Sequence, residues 1–320
     1  LGDCTDQADQ NWYLCNSGTV SSTGAVFEAM PGVILNTFGR TETLQQRLGA
    51  RITGMPTTVS SRGTGDALVN QSVGPWVRTW GDFTDITPDQ SSAGVSWQSD
   101  GWGFEAGIGT MLGEPAGGDL IAGVTLRYGS TFAQLDSLNG TGSLEANGFG
   151  IGASLTWFGT NGFYVDANGA VDFVSIDATS RGGGMLLDGH DNEVYSASIE
   201  MGQRIALEGG ATIVPQAQLS WGRMGSGQLT DELGNLVSLG DRETLTSRIG
   251  VTAEWDVAET ELGAGQIYGF GNVLHDLSGS RTVTVAGTDI TQTGTGDWVE
   301  LGGGFSLQPT ETTNLFGQIA

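Results

Sequence analysis

From about residue 75 onward the side chains change character at every second position, over stretches of about 10 to 20 residues, where soluble strands have a mode near 5–6. In 144–158, Phe149, Ile151, Ala153, Leu155 and Trp157 share one face, and Gly148, Gly150, Gly152, Ser154 and Thr156 the other. In 163–173, Phe163, Val165, Ala167, Val171 and Phe173 oppose Tyr164, Asp166, Asn168 and Asp172, and 194–207, 245–257 and 298–307 alternate in the same way. One face is apolar; the other is small, polar or charged. A strand that spans a bilayer needs this length and this pattern, because lipid touches the outside of the wall and polar contents fill the inside. The fold class that follows is all-β, a transmembrane antiparallel β-barrel. There is no apolar run of about 18 residues or more, so no transmembrane helix is expected.

The connections support this reading. Glu114–Asp119, Gly159–Gly162, Glu208–Gly210, Ala258–Gly265 and Gln308–Asn314 are short. They take turns with longer links at Asp136–Asn147, Ala178–Glu193, Gly225–Glu243 and Ser278–Asp297. Short turns on one side and long loops on the other are the habit of transmembrane barrels. Strands are predicted near 75–86, 100–113, 120–135, 143–158, 162–178, 193–207, 211–226, 243–257, 265–277 and 297–307, with an eleventh from about 313. Single-chain barrels of this kind have even strand counts, so twelve are expected, the last one to two incomplete or beyond Ala320.

The first 74 residues lack the alternation. Residues 30–49 read as a helix, with Pro31 in the first turn, Arg47 in the last and Gly49 as the stop. About 20 helical residues span roughly 30 Å, the thickness of the hydrocarbon layer. Its apolar members Val33, Ile34, Phe38, Leu44 and Leu48 are mixed with Asn36, Arg40, Glu42, Gln45, Gln46 and Arg47, too polar for lipid but suited to a polar lumen.

A charged side chain facing lipid costs roughly 2–4 kcal/mol for Arg near the midplane. On that ground Arg78, Arg127, Arg204 and Arg248 are expected to face the lumen, together with Glu105, Glu145, Asp166, Asp172, Glu200, Glu254 and Glu300. Pairing of some of these carboxylates with Arg40 or Arg47 would hold the helix; a hydrated lumen without specific pairs is the alternative.

Composition excludes other classes. The 54 glycines, about one residue in six against a usual share of about 7%, follow no period of three and so are not collagen-like. The net charge of −24 argues against nucleic-acid binding. His190 and His275 are the two histidines, and no G-x-S-x-G occurs, so a Ser-His-Asp triad has no support. In Gly148–Ala153 the glycines lie within a continuing strand, unlike a dinucleotide fingerprint. Asp3, Asp6 and Asp9 lack the Gly and Glu that an EF-hand requires. No cofactor or metal is expected. Cys4 and Cys15 suggest one local disulfide in an oxidising compartment, with two thiols as the alternative.

Four stretches together resemble the pertactin-type autotransporter family: Asn11-Trp12-Tyr13-Leu14; Glu28-Ala29-Met30-Pro31 with Leu44-Gln45-Gln46-Arg47-Leu48-Gly49; Pro75-Trp76-Val77-Arg78; and Asn272–Leu277 with Val283-Thr284-Val285. The resemblance implies four parts. Residues 1–25 would end a β-helical passenger, 26–52 form the pore-threading helix, 53–74 connect, and 75–320 form the barrel. It implies an outer-membrane protein of a Gram-negative bacterium that supports export of its own N-terminal passenger to the cell surface and anchors it, without catalysis in this segment. The implied partners are that passenger, outer-membrane lipid and lipopolysaccharide, the barrel-assembly machinery and periplasmic chaperones, around a monomeric barrel. A porin-like channel, or an adhesin or enzyme acting through the passenger, are the alternatives. Serine-protease autotransporters of enteric bacteria cut themselves at an Asn-Asn pair just before the Leu-x-x-Arg-x-Gly segment. Here Glu42-Thr43 stand there, so the passenger is expected to stay attached or be released by another protease.

Overall fold

The computed structural model describes residues 19–48, 74–225, 227–240, 243–260, 263–285, 287–293, 296–310 and 313–320. Cys4, Cys15 and residues 1–18 and 49–73 lie outside them. Among the described residues eleven strands form one antiparallel sheet in chain order: β1 Gly74–Ile86, β2 Ser96–Gly113, β3 Gly118–Ser137, β4 Gly140–Gly159, β5 Phe163–Ser180, β6 Gly184–Gln203, β7 Ala211–Met224, β8 Glu243–Thr260, β9 Gly263–Asp276, β10 Asp297–Thr310 and β11 Thr313–Ile319. A short strand, Ile205–Ala206, adds to β7. The sheet curls into a barrel wall around the chain's own N-terminal segment.

The membrane phase of the alternation lies where expected. Phe149, Ile151 and Leu155 on β4 point outward and are exposed, as are Val124, Leu126 and Tyr128 on β3 and Ile249 and Val251 on β8. Their neighbours Arg127, Asp166, Asp172, Glu200, Arg248 and Glu254 point inward.

Beyond this belt the phase inverts. On β3, Ala133 and Leu135 are buried inside while Gln134 and Asp136 face out. On β4, Leu144 and Ala146 are buried while Glu145 faces out; on β5, Val174, Ile176 and Ala178 are buried, with Ser175 and Asp177 on the outer face. The wall therefore has two tiers. In the lower one lipid is outside and polar groups are inside. In the upper one water is outside, and the interior is packed like that of a soluble protein.

Three sequence expectations are corrected here. Glu145 does not face the lumen: it shares the outward phase of Phe149 and lies above the apolar belt, where an outward carboxylate meets water. The long links expected at Asp136–Asn147 and Ala178–Glu193 are mostly strand, closed by tight turns at 138–139 and 181–183. Both stretches keep alternating in the inverted phase. Strands of 20 residues, such as β3, β4 and β6, are about 66 Å long, well beyond the 9–11 residues needed to cross a bilayer. Finally, the helix expected over 30–49 is two helices, α1 Ser22–Thr37 and α2 Leu44–Leu48.

α1 starts at Ser21, whose hydroxyl accepts from the Gly24 amide, and Pro31 lies inside it rather than in its first turn. It is apolar nearly all round, the signature of a fully buried helix. Val26, Phe27, Met30, Ile34 and Leu35 fill the upper tier together with Leu135, Leu144, Ile176, Leu186, Val194 and Met224. The chain then leaves helical geometry at Phe38 and Gly39 and crosses into the polar tier. α2 is restarted there by a reciprocal capping box: Gln46 N donates to Thr43 Oγ1 and Thr43 N to Gln46 Oε1, both at 3.0 Å.

A second sheet roofs the upper tier. It is built from three loops, in the order Gln228–Thr230, Leu236–Ser238, Ser280–Val285, Thr288–Thr293 and Gln90–Ser91. Leu229, Val237, Val283, Val285 and Ile290 join the core around α1.

Candidate functional site: the threaded lumen

Inward positions of β1 to β8 converge on residues 38–48 of the threaded chain. Arg47 on α2 reaches Asp166 on β5, Nη2 to Oδ1 at 2.5 Å, and donates through Nη1 to Ser154 Oγ at 2.9 Å. Thr156 donates to the same Asp166 oxygen at 2.6 Å, and Asp166 is fully buried. Arg78 on β1 donates to the Gln46 carbonyl at 2.8 Å and to Glu105 at 2.9 Å, and forms an ion pair with Glu42. Arg127 pairs with Asp172 at 3.0 Å and donates to the Phe38 carbonyl at 3.4 Å.

On the opposite side Glu200 is the hub. It accepts from the Leu44 amide at 3.2 Å, from Arg248 at 3.1 Å and from the Tyr164 hydroxyl at 2.7 Å. Gln218 donates to the Glu42 carbonyl at 3.1 Å, and Thr252 to Gln45 Oε1 at 3.1 Å. The network extends through Arg248 and Asn272 to Glu300 on β10.

The wall thus presents carboxylates to the cation and amide of the threaded segment, and cations and amides to its carbonyls. Buried charges of this kind are tolerated only when paired and hydrogen-bonded. Two wall glycines make room: a Cβ on Gly129 would meet the Phe38 ring at 3.1 Å, and one on Gly222 would lie 2.7 Å from the Gly39 carbonyl oxygen.

Of the residues expected from sequence, Glu42, Gln46, Arg47, Arg78, Glu105, Arg127, Asp166, Asp172, Glu200 and Arg248 are brought together around this segment. Arg204 and Glu254 pair with each other at 2.6 Å, apart from it. Arg40 is exposed and has no ion pair among the described residues, so the expected pairing falls to Arg47 alone. Ser154, Thr156 and Tyr164 are on the polar face in the sequence reading without being site candidates, Asn272 appears there only within a motif, and Gln218 is not named. Each sits on the inward parity beside a charge that is a candidate, and that shared parity is the signal that finds them. Glu28 was noted only within a motif. It is buried on α1 and accepts from the amides of Ser92 at 3.1 Å and Ala93 at 2.9 Å.

A membrane-type barrel whose lumen is occupied by an earlier segment of its own chain defines a class, the barrel plugged by its own chain. Residues 75–320 match the autotransporter beta-domain family, and the chain belongs to it.

Over 310 residues the chain is 32% identical to the adhesin BmaC autotransporter of Brucella suis biovar 1 (strain 1330), covering 89% of this chain and 9% of that protein. It is 25% identical over 229 residues to the serine protease pet autotransporter of Escherichia coli O44:H18 (strain 042 / EAEC), covering 67% and 17%. It therefore spans under a fifth of either relative's length.

Among solved structures, the transport unit of the autotransporter AIDA-I from Escherichia coli superimposes with a TM-score of 0.63 at 13% identity, covering 82% of this chain and 85% of that one. The translocator domain of autotransporter NalP from Neisseria meningitidis gives 0.52 at 14% identity, covering 88% and 87%. Family and fold together make this barrel a translocator domain for its own passenger.

Proposed function

We propose that the threaded segment is the parked end of export. Residues 38–48 are the last stretch of linker to enter the polar tier, and the wall network holds them there, so that the barrel is plugged and the passenger anchored. The clamp on residues 42–47 carries this reading: one linker arginine, one linker carboxylate and several linker backbone groups find matched partners on four strands, β1, β5, β6 and β7. A diffusion porin has no use for such complementarity along its own chain.

The setting is the outer membrane of a Gram-negative cell, with the passenger at the surface. The outward acids above the apolar belt face the lipopolysaccharide zone. Insertion uses the barrel-assembly machinery and periplasmic chaperones, and the barrel works as a monomer. Domain assignments carry over as 1–25 passenger end, 26–52 linker, 53–74 connector and 75–320 barrel. This segment itself performs no catalysis; any adhesive or enzymatic activity belongs to the passenger. The passenger stays attached unless another protease releases it, because Glu42-Thr43 replaces the Asn-Asn pair.

The test is an epitope placed ahead of Leu1 together with planar-bilayer recordings of the purified chain. The epitope is expected at the cell surface and the intact chain nearly non-conducting, with a large conductance once residues 22–48 are deleted. An epitope confined to the periplasm, or equal conductance with and without the segment, overturns the reading.

A further inference from the structure

Glu28 is the one charged residue of α1, and it is buried in the upper tier. Its two carboxylate oxygens accept from consecutive backbone amides, Ser92 and Ala93. These follow Gln90–Ser91, the edge strand of the roof sheet, and Ser92 is tied onward to Thr291: its hydroxyl donates to the Thr291 carbonyl and accepts from the Thr291 amide, both at 2.9 Å. One turn further along α1, Gly32 lies against the Trp97 ring, where an added Cβ would come within 3.1 Å. Residues four apart share a helix face. That face of α1 therefore offers a carboxylate to the first loop of the barrel and, one turn later, a gap to Trp97 at the start of β2.

No other register of the helix does so. Sliding α1 by one residue would put Ala29 at the amide pair and Val33 under Trp97. Sliding it by a full turn would bring Gly24 or Gly32 to the amides. In every such position the Ser92 and Ala93 amides lose their acceptor, and Ala93, buried in the core, has no water to replace it. The roof residues Leu229, Val237, Val283, Val285 and Ile290 bury against α1, so the roof has its core only when the helix is seated.

We propose that Glu28 is the register stop of translocation: its arrival at the Ser92–Ala93 amides ends threading and closes the three-loop roof over α1. This rests on the translocator reading above but goes beyond it, assigning the stop to one side chain and the closure to one sheet.

Arg281 lies within a paired roof strand, so tryptic cleavage there reports an open roof. In the full chain, Glu28→Ala is expected to raise the rate of that cleavage by at least about ten-fold, the scale set by hydrogen bonds to a charged acceptor. Glu28→Gln, which keeps one acceptor oxygen, should fall between the two. Epitope display and the heat-dependent gel shift of the folded barrel should be unchanged. Gly32→Leu, which leaves Glu28 intact and favours the helix intrinsically, should open the roof in the same way and serves if Glu28→Ala yields no folded barrel. Cleavage of both variants at the wild-type rate overturns the proposal. Loss of surface epitope from the wild-type chain would instead sink the translocator reading, so the two failures are distinguishable.

Discussion

Arg47 of the threaded segment and Asp166 of the barrel wall, 119 residues apart in sequence, meet at 2.5 Å where Asp166 is entirely withdrawn from solvent. The pair joins two parts of the chain that secondary structure alone does not connect. Removing one partner of such a pair leaves a buried charge uncompensated, at a cost of about 3–5 kcal/mol. Arg47→Ala is therefore expected to loosen α2 and give the intact barrel a flickering conductance in planar bilayers. Asp166→Asn in the same chain should recover part of the loss, because it removes the orphaned charge. A double variant no better than Arg47→Ala would show that the two side chains do not act together.

The wall was legible in the sequence because one constraint governs the membrane tier: lipid on one side forces parity, and Arg78, Arg127, Asp166, Asp172, Glu200 and Arg248 share the parity that the structure turns inward and pairs. The same rule failed at Glu145. Above the bilayer the outside is water, and the parity of charge reverses. The signal was present at Phe132–Asp136, where outward Phe132 gives way to outward Gln134 and Asp136 while Ala133 and Leu135 turn in. The helix was misread for a related reason. Residues 22–37 suit an apolar chamber and 38–48 a polar one, and a single amphipathic helix over 30–49 averages two environments. Thr43 and Gln46, at capping-box spacing, mark the restart. Glu28 could not be found from α1 alone, because its partners are backbone amides of a distant loop.

The two tiers make opposite demands on neighbouring outward positions. Phe149 is in the apolar belt and packs against Phe173 at 5.6 Å between ring centroids; Glu145 stands on the same face, four residues closer to the roof. Phe149→Arg should destabilise the folded barrel in lipid by roughly 2–4 kcal/mol, whereas Glu145→Arg should change stability by less than about 0.5 kcal/mol. Urea unfolding in vesicles measures both. Equal losses at the two positions would place Glu145 in lipid and erase the distinction between tiers.

Gly222 on β7 is a steric requirement of the threaded state. A Cβ there would sit 2.7 Å from the Gly39 carbonyl oxygen and 3.1 Å from its Cα, and a backbone pinned between α1 and α2 has little freedom to retreat. Gly222→Val should cost the seated segment at least about 1–3 kcal/mol, as overpacking does, and favour an unplugged barrel. Conductance of the folded variant reads this out. Conductance as low as in the wild type would mean that the linker passes the wall with room to spare.

Burial holds the Glu28 carboxyl above its ordinary value, and hydrogen bonds from Ser91, Ala93 and Ser92 only partly oppose the shift. The folded state therefore binds a proton at a pH where the unfolded chain, near the usual glutamate value of about 4.3, has released it. Between those two values the native state holds more protons, so the stability tied to this group rises as pH falls through the folded value. It levels off below the unfolded one. Above the folded value, the cost of burying the charge is fully present. Acidification should thus not release the roof through Glu28. Amide hydrogen exchange at Ser92 and Ala93, corrected for intrinsic rates, should show protection that holds or grows as the pH is lowered toward the usual glutamate value, and Glu28→Gln should remove the growing component. Protection that instead falls with pH in the wild type, but not in the Gln variant, would contradict the upward direction of the Glu28 shift.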